Sequence, residues 1–322
     1  MALYLVTGGA GFIGSHLATA LVERGDRVRV LDDLSTGRAE NLAHLGAGEP
    51  GCGAAVELVR GDVVDPYACR AACEGVHGVF HEAAQVSVQR SLEEPERSFE
   101  VNVMGTLRLL EAARRAGVAR VVFAGSSAAY GDAEGLPKVE DMPPRPLSPY
   151  AAGKVAGEHL MRVWGRIHGL RTVTLRYFNV FGPRQADDNP YSGVIALFAR
   201  ALLEGRRPTI FGDGRQTRDF AFVDNVVDAN LAAMGAELAP GEVLNVGGGD
   251  RVSLLELVAA IGSILGCELE PLFADARAGD VRHSVASIEK ARRLLGWAPR
   301  TDWRRGLTKT LEWYAARFAD GS

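Results

Sequence analysis

Short apolar runs alternate with segments of helical length from the N-terminus to Asn179. Such alternation is typical of βαβ units, whose parallel strands form one sheet with helices on both faces. We therefore predict an α/β fold built on a doubly wound parallel sheet. The predicted strands are "LYLVTG", "VRVLDD", "VELVRGD", "GVFHEAA", "RVVFAGSS" and "VTLRYFN".

The pattern changes after Asn179. From there the apolar runs are fewer, the loops are rich in Gly, Pro and Asp, and helical segments such as "SLLELVAAIGSILG" and "WRRGLTKTLEWYAARFA" dominate. We therefore expect a larger domain over residues 1–178 and a smaller α/β substrate-binding domain over residues 179–322. Residues 219–247, with "FAFVDNVVDANLAAM" and "VLNVGGG", are expected to return in part to the larger domain.

Composition narrows the class of partner. The chain of 322 residues is 47% hydrophobic and 24% charged, which is enough for a sizeable core. Its net charge is −4 and its pI is near 6.0, and like charges do not form blocks. This balance disfavours nucleic-acid and membrane-surface binding and favours a small-molecule partner. The N-terminal apolar run is far shorter than the roughly 20 residues of a membrane span, and we interpret it as a buried strand.

The cysteines give no sign of a metal site. Cys52, Cys69, Cys73 and Cys267 form no C-x-x-C pair and no cluster with histidine at zinc spacing. We interpret them as buried, inert and reduced thiols, as expected in a cytoplasmic protein.

A glycine-rich segment, "VTGGAGFIGSHLATALVERG", follows the first predicted strand and opens a helix. Gly8, Gly11 and Gly14 allow a tight turn and a close approach of a pyrophosphate to the positive end of that helix. The helix begins near Phe12 and Ile13, which we count among the coenzyme contacts. The spacing is G-x-x-G-x-x-G, which differs from the G-x-G-x-x-G dinucleotide fingerprint. The strand and helix around it nevertheless favour a Rossmann-type nucleotide site.

The second predicted strand, "VRVLDD", ends in Asp32 and Asp33. An acidic residue at this place hydrogen-bonds the adenosine ribose hydroxyls of a dinucleotide. A carboxylate there also repels the 2′-phosphate of NADP. NAD is therefore the predicted cofactor.

Further coenzyme contacts are expected where other apolar runs end. Ligands of open α/β sheets lie beyond the carboxyl ends of the strands, and we interpret "GDVVD", "FHEAAQ" and "VNVMGT" as three such ends. The residues concerned are Asp62, Val63, Ala83, Ala84 and Asn102.

The segment "SPYAAGK" predicts a helix with Ser148 as its N-cap and Pro149 in its first turn. Tyr150 and Lys154 then lie one turn apart on the same face. Only four of the 36 Lys and Arg residues are lysines, so a lysine here indicates that a compact ammonium is needed. We expect this ammonium to lower the pKa of the tyrosine towards working pH. The alternative is a surface tyrosine packed beside an extended lysine side chain.

Four motifs together resemble the extended short-chain dehydrogenase/reductase superfamily: T-G-x-x-G-x-x-G, Y-x-x-x-K, "GSSAAYGD" and "LRYFNVFGPRQ". More narrowly, the chain resembles the UDP-hexose 4-epimerases over nearly its whole length. The segments "LPKVEDMPPRPLSPYAAGK" and "GDVRHSVASIEKARRLLGW" are most similar to the bacterial branch that acts on UDP-N-acetylglucosamine.

The resemblance implies an NAD-dependent isomerase. In this family the sugar is oxidised transiently at C4, the 4-keto sugar rotates, and it is reduced on its other face. The resemblance assigns the proton transfer to Tyr150, a relay hydroxyl to Ser126 and a ribose contact to Lys154. Related dehydratases carry an Asp-Glu pair where this chain has Ser127 and Ala128, so elimination is disfavoured.

The resemblance also implies that the second domain holds a UDP-sugar. Ser284 falls where epimerases restricted to non-acetylated sugars carry a tyrosine, so UDP-N-acetylglucosamine and UDP-N-acetylgalactosamine are expected to fit beside UDP-glucose and UDP-galactose. Tyr177 is implied as a further coenzyme contact. The other implied substrate contacts are Ser126, Ser127, Asn179, Phe211, Arg218, Arg277 and Asp280.

Two other functions stay open at this point. A UDP-uronate 4-epimerase, or another nucleotide-sugar enzyme of the superfamily, shares the coenzyme motifs, and Ser87 and Arg90 in "QVSVQRS" could bind a C6 carboxylate. A non-catalytic NAD-binding scaffold would also keep the glycine-rich turn. The presence of Tyr150 and Lys154 disfavours the scaffold.

A homodimer is expected from the same resemblance. The helices predicted to begin near Pro95 and Ser148 lie in the stretches that pair across a two-fold axis in this family. The second helix carries an apolar stripe on one side, as an interface helix would. The alternative is that the stripe packs on its own sheet. The stripe consists of Leu160, Val163, Trp164 and Ile167.

Overall fold

The computed structural model describes residues 1–187, 193–266, 268–275 and 281–320. Seven strands form one parallel sheet, and all six predicted strands are among them. They are β1 (Leu3–Thr7), β2 (Arg27–Asp32), β3 (Val56–Arg60), β4 (Gly78–His81), β5 (Arg120–Ser126), β6 (Arg171–Tyr177) and β11 (Glu242–Val246).

The spatial order of the strands is β11-β6-β5-β4-β1-β2-β3. The chain therefore winds outward from β1 in one direction and then from β4 in the other, which is the doubly wound arrangement. The predicted Rossmann-type α/β class is confirmed. The α-helices of the described ranges are α1 (Phe12–Glu23), α2 (Pro66–Cys73), α3 (Val88–Glu93), α4 (Pro95–Phe99), α5 (Thr106–Arg115), α6 (Pro149–His168), α7 (Val194–Leu203), α8 (Val223–Gly235), α9 (Leu254–Leu265), α10 (Glu289–Leu295) and α11 (Trp303–Asp320).

Helices cover both faces of the large sheet. Successive side chains of a strand point to opposite faces, and β5 shows the consequence. Val122 packs in a core with Leu17 of α1 and Val226 of α8, whereas Phe123 packs with Leu109 of α5 and Met161 of α6. Burial on both faces explains why the strands appear in the sequence as nearly unbroken apolar runs.

The remaining strands are short and pair in twos. Residues of these strands pack in a third hydrophobic cluster, which also contains Ile195 of α7, Leu257 of α9 and Leu311 of α11. The pairs are β7 (Asn179–Phe181) with β10 (Phe220–Phe222), β8 (Thr209–Phe211) with β13 (Leu272–Ala274), and β9 (Thr217–Arg218) with β12 (Val252–Ser253).

The carboxyl ends of the central strands meet along one edge of the large sheet. Thr7, His81, Ser126 and Tyr177 are the last residues of β1, β4, β5 and β6, which are four consecutive strands of the sheet. Parallel strands place these ends side by side, so the edge collects polar groups from distant parts of the sequence.

Asn102 does not follow a strand, contrary to the prediction from "VNVMGT". It lies in a π-helical segment, Glu100–Gly105, between α4 and α5. The valines favour a strand locally, but Val101 is buried in the core cluster formed with α5 and α6. Tertiary packing therefore overrides the local preference.

The prediction of buried cysteines is right for two residues and wrong for one. Cys69 and Cys73 are buried free thiols, and burial raises the pKa of each to about 12, which makes them unreactive. Cys52 is exposed, because it lies in a turn-rich loop before β3. Cys267 lies outside the described residues. Nowhere in the described ranges is a helix long and apolar enough to cross a membrane.

Candidate active site

The glycine-rich turn between β1 and α1 has no room for side chains. Gly8 has a φ of +66°, in the left-handed region that glycine adopts readily. A Cβ at Gly14 would lie 2.2 Å from the Gly8 oxygen, and a Cβ at Gly8 would lie 2.8 Å from the Ala83 backbone. The G-x-x-G-x-x-G spacing thus produces a compact turn that allows another molecule to approach the backbone closely.

The N-terminus of α1 is suited to an anion. Its N-cap is Gly11, which has no side chain to cap the helix, and its first turn carries no acidic residue. The N–H groups of the first turn, where Phe12 and Ile13 lie, can therefore donate to a phosphate. The helix dipole strengthens their attraction for this anion.

The predicted ribose carboxylate is held by backbone donors. Asp32 ends β2 and is buried, and its two oxygens accept the N–H groups of Ala10 and Leu34, each at 2.9 Å. Burial is the main cause that raises the pKa of this carboxyl, and the two hydrogen bonds oppose it. Asp33 next to it accepts from the hydroxyl of Ser35 at 2.6 Å.

Arg97, which was not predicted from the sequence, lies between two of the predicted acidic residues of the site, Asp33 and Asp62. Its guanidinium lies 2.5 Å from an Asp62 oxygen and 4.0 Å from Asp33. Arg97 belongs to α4, far from both acids in sequence, and no local motif marks it. The predicted contacts Asp33 and Asp62 are thus joined through one cation.

Asn102 acts on the loop that follows β4. Its side-chain oxygen accepts the backbone N–H of Gln85 at 2.9 Å, and its side-chain amide donates to the backbone oxygen of Gln85 at 3.1 Å. These two bonds fix the segment that carries Ala83 and Ala84 against Gly8. Val63 packs close by, because a Cβ at Gly105 would lie 2.8 Å from its side chain.

Helix α6 carries the predicted tyrosine and lysine. Ser148 caps it by accepting the Ala151 N–H at 3.1 Å, and Pro149 occupies its first turn, as predicted. Lys154 is only 3% exposed, so the surface-lysine alternative is wrong. Its ammonium donates to the Ala124 oxygen of β5 at 2.9 Å.

The pKa of Tyr150 differs from the expected direction. The Lys154 nitrogen lies 6.0 Å from the centre of the tyrosine ring, bound to a backbone carbonyl. Burial raises the pKa of Tyr150 above its ordinary value, and the hydrogen bond with Ser126 opposes that rise. The prediction of a lowered pKa is wrong, because desolvation of the phenolate outweighs the opposing hydrogen bond with Ser126.

Ser126 ends β5 and serves two purposes. Its hydroxyl accepts the Ala128 N–H at 3.1 Å, which caps the 3-10 turn that contains Ser127. The same side chain hydrogen-bonds Tyr150. Neither Ser127 nor Ala128 supplies an acid to this position.

A polar network lies next to these groups, and of its members only Tyr177 was predicted as a site residue. The Tyr177 hydroxyl donates to Glu82 at 2.9 Å and accepts from the Asn230 amide at 2.8 Å. His81 is fully buried between the hydroxyls of Thr7 and Thr106, at 2.8 and 3.0 Å, and burial lowers its pKa to about 3. The only signal in the sequence was the position of "HE" at the end of a predicted strand.

One buried carboxylate organises the residues predicted to bind substrate. Asp219 accepts the N–H groups of Gly248 at 2.6 Å and Ala286 at 2.8 Å. Its backbone oxygen accepts the Asn179 side chain at 3.0 Å. Burial raises the pKa of the Asp219 carboxyl to about 6.

The predicted residues Arg218 and Ser284 lie beside each other in this region. The Ser284 N–H donates to the Thr217 oxygen at 3.1 Å, and Arg218 donates to that same oxygen at 3.0 Å. Phe211 ends β8 and is half-buried. Arg277 and Asp280, also predicted as substrate contacts, lie outside the described residues.

A cavity of about 460 Å³ opens between the segment that follows Tyr130 and the segment that precedes Ser284. Asp132 and Leu136 line one side of it, and Arg282 and His283 line the other.

Ser87 and Arg90, the residues considered for binding the C6 carboxylate of a uronate, are both engaged in other hydrogen bonds or ion pairs. Ser87 caps α3 by accepting the Arg90 N–H at 3.0 Å, and Arg90 pairs with Glu94 at 3.3 Å on the surface. Across the described part of the chain, no group of three or more His, Cys, Asp or Glu side chains is placed to hold a metal ion.

These residues fit NAD. The turn at Gly8 excludes side chains, the α1 N-terminus is open to a pyrophosphate, and Asp32 stands where ribose hydroxyls bind. Lys154 is buried at the same edge of the sheet, with a donor group suited to a second ribose.

Comparisons with known proteins identify the family of the chain. A profile described as the NAD dependent epimerase/dehydratase family matches residues 4–247. The UDP-glucose 4-epimerase of Mycolicibacterium smegmatis is 45% identical over 312 residues, which cover 96% of this chain and 97% of that protein.

Two solved structures are similar over nearly the full length. A UDP-N-acetylglucosamine 4-epimerase from Methanobrevibacter ruminantium, in complex with UDP-N-acetylmuramic acid, is 34% identical, with a TM-score of 0.91 over 98% of this chain and 99% of the other. A UDP-glucose 4-epimerase from Thermus thermophilus, in complex with NAD, is 39% identical, with a TM-score of 0.86 over 97% and 98%. The predicted family and cofactor are thereby confirmed: the chain belongs to the NAD dependent epimerase/dehydratase family and uses NAD.

Proposed function

We propose that this protein interconverts the C4 epimers of UDP-hexoses. The observation that carries the proposal is the meeting of Ser126, Tyr150 and Lys154 at the carboxyl edge of the sheet, near the glycine-rich turn. The 4-epimerases among the relatives, similar over nearly the whole chain, support the same activity.

The mechanism requires one base and a dry site. When bound, NAD⁺ supplies a hydride acceptor and a positive charge. Tyr150 takes the proton of the sugar 4-hydroxyl and returns it after the 4-keto sugar has turned over. Ser126 forms hydrogen bonds with both the phenol and the sugar 4-oxygen, so its hydroxyl can relay the proton between them. Lys154, whose ammonium lies 6.0 Å from the centre of the tyrosine ring, is proposed to bind the coenzyme ribose.

The same geometry disfavours elimination. A dehydratase needs a general acid beside the leaving group, and Ser127 and Ala128 supply none. The enzyme therefore returns the sugar intact, with the configuration at C4 as its only change.

We infer that both acetylated and plain UDP-hexoses are substrates. Ser284 is small and half-buried, beside Arg218, and a serine at this position leaves space that a tyrosine would fill. Extra space does not by itself reject a smaller sugar. Asn179 and Arg218 are the described side chains proposed to bind the nucleotide diphosphate, since an arginine fork suits two phosphate oxygens.

The test is an assay of purified protein with no added NAD. UDP-N-acetylglucosamine and UDP-glucose are incubated separately, and the products are resolved by NMR. We expect the galacto epimer in both tubes. If neither tube contains an epimer after NAD is supplied, and UDP-glucuronate is turned over instead, the protein is a UDP-uronate 4-epimerase and the proposal is wrong.

We further propose a cytoplasmic homodimer. Val163 and Ile167 of α6 are 42% and 71% exposed, and Phe99 of α4 is 41% exposed, which leaves apolar side chains open to a partner. Leu160 and Trp164 instead pack against the core, so only half of the predicted stripe is free. Light scattering coupled to gel filtration measures the assembly, and a monomer at micromolar concentration would contradict it.

A further inference from the structure

Arg176 is a buried cation on β6, next to the strand that ends in Ser126. Its register partner in β5 is Gly125, the residue before Ser126. The guanidinium donates to both oxygens of Glu158, at 2.9 and 2.8 Å. Glu158 is buried as well, so the pair is shielded from water. Two parallel bonds of this kind fix the orientation of the partners as well as their distance.

Glu158 connects this cation to the helix that carries the proposed base. Tyr150, Lys154 and Glu158 follow one another at intervals of four residues, so they lie along one side of α6. This side of the helix rests on the end of β5. The Lys154 ammonium donates to the Ala124 oxygen at 2.9 Å, and a Cβ at Gly125 would lie 3.3 Å from a Glu158 oxygen. The absence of a side chain at Gly125 therefore leaves room for the carboxylate.

Arg176 also contacts the turn that Ser126 caps. This 3-10 turn, Ser127–Tyr130, begins directly after Ser126. The Arg176 guanidinium lies 4.7 Å from the centre of the Tyr130 ring, within the range of a cation–π contact. The Tyr130 hydroxyl donates to Asn245 of β11 at 2.7 Å, which fixes the ring. One guanidinium thus contacts both the turn that begins at Ser126 and the helix of the proposed base.

The buried pair contributes geometry more than stability. Taking both charges out of water costs free energy, and apolar side chains of similar volume often support a fold equally well. Burial by itself would lower the pKa of Arg176, but the hydrogen bonds and the charge of Glu158 raise it above its ordinary value. Apolar side chains would fill the space without fixing how the helix is turned against the strand.

We propose that Arg176 is a positioning residue of the reaction, which sets the distance between Ser126 and Tyr150. It does so through two contacts, one with Glu158 on the helix and one with Tyr130 on the turn. The inference rests on the proposed function, in which the two hydroxyls relay the proton of the sugar 4-hydroxyl. The hydrogen bond between them belongs to the structure itself and does not depend on that function.

The first test is Arg176→Lys in the enzyme with its bound NAD. A lysine keeps the positive charge, but it cannot bond both carboxylate oxygens as a fork or lie flat on an aromatic ring. We expect kcat to fall by about 10- to 100-fold, as a displacement of up to about 1 Å between reacting groups predicts. The other supports of α6 remain, so the fold, the bound NAD and KM for the UDP-sugar should be kept. A wild-type kcat in this variant would overturn the proposal.

Arg29→Lys is the matched control. Arg29 of β2 also donates to a buried glutamate, Glu57 of β3, at 3.0 Å. This pair lies before the carboxyl ends of its strands and contacts none of the proposed catalytic groups. The variant should lower the midpoint of urea unfolding and leave kcat unchanged. A fall in kcat equal to that of Arg176→Lys would reduce the effect to a general loss of stability and overturn the proposal.

NMR of tyrosine labelled with ¹³C at Cζ reports on the hydroxyl pair without any substrate. Tyr150 is one of seven tyrosines, and the loss of one signal in Tyr150→Phe assigns it. At fixed pH this signal responds to the hydrogen bond of the phenol, so it should move in Arg176→Lys and stay in Arg29→Lys. An unmoved signal would overturn the proposal. Absence of turnover with every UDP-hexose would refute the proposed function only, because the signal still reports on the pair.

A double variant carries the test if Arg176→Lys does not fold. Arg176→Met combined with Glu158→Leu replaces the pair by apolar side chains, which leaves no buried charge without a partner. We expect this variant to fold and to bind NAD, with a lowered kcat and a displaced Tyr150 signal. A wild-type kcat and an unmoved signal would show that the pair only stabilises the fold, and the proposal would be wrong.

Discussion

The region proposed to bind the coenzyme and the region proposed to bind the substrate, here the coenzyme end and the substrate end, are held by different kinds of interaction. At the coenzyme end, regular elements carry the site: Gly8 follows β1, Ser126 ends the seven-residue strand β5, and the 20-residue helix α6 carries Tyr150 and Lys154. At the substrate end, Arg218 lies on a strand of two residues and Ser284 lies outside the named strands.

A single side chain compensates for the lack of regular structure at the substrate end. Asp219 binds the backbone at Gly248, Gly249 and Ala286, and its own carbonyl holds Asn179. Strands and helices therefore hold the residues proposed for the chemistry, whereas one buried carboxylate holds the loops proposed to contact the sugar nucleotide. The first region should tolerate the loss of a single support, and the second should not.

The largest effect is expected at the coenzyme end. Tyr150→Phe removes the base and should lower kcat by about 100- to 10,000-fold, while the fold and bound NAD remain. Turnover and the absorbance of the bound coenzyme are measured on the same sample. Tyr67→Phe, which alters an exposed tyrosine, is the control and should keep full activity. Near-normal turnover of Tyr150→Phe would exclude the phenol as the base.

At the substrate end, Ser284→Tyr should separate the two sugar classes. The ring fills space beside Arg218, so kcat/KM for UDP-N-acetylglucosamine should fall by about 10- to 200-fold while that for UDP-glucose is largely kept. Ser284→Ala leaves the space open and serves as the matched control. An equal loss for both sugars would show that Ser284 does not face the C2 substituent.

Asp219→Asn tests whether one carboxylate holds the substrate loops. The amide group would face backbone N–H donors, so KM for the UDP-sugar should rise by about 10- to 100-fold with a smaller change in kcat. In the wild type, KM should also rise as pH falls through about 6, because the carboxyl gains a proton and loses an acceptor site. Asp224→Asn, at an exposed position nearby, should change neither. A KM for Asp219→Asn that matches the wild type would assign the loops another support.

The smallest effect is expected from the cap of α6. Ser148→Ala removes the bond to the Ala151 N–H and should lower the free energy of unfolding by about 1 kcal/mol in urea denaturation. Activity should stay near normal, because the packing of α6 against the sheet still places Tyr150. Asp65→Ala removes the corresponding cap of α2 and should cost a similar amount. A large loss of kcat in Ser148→Ala alone would mean that the cap itself positions the tyrosine.

Much of the coenzyme end could be predicted because its signals are local. Six strands, the glycine turn, Asp32 and the Tyr150–Lys154 pair each depend on residues a few positions apart, where the strand and helix periods act directly. Local reasoning failed at Asn102, where two valines suggested a strand inside a helical region, and at Cys52, which is exposed.

The tertiary structure decided which distant residues meet and how strongly they are buried. Tyr177 and Glu82 are 95 residues apart, and they meet because β4, β5 and β6 are neighbours in the sheet. Asp219 reaches Ala286 across 67 residues, where an isolated bridge between Thr217 and His283 joins the two segments. Burial then raised the pKa of Tyr150, against the expectation from its neighbour Lys154. Desolvation and long-range hydrogen bonds depend on which elements pack together, and no periodicity along the chain records that.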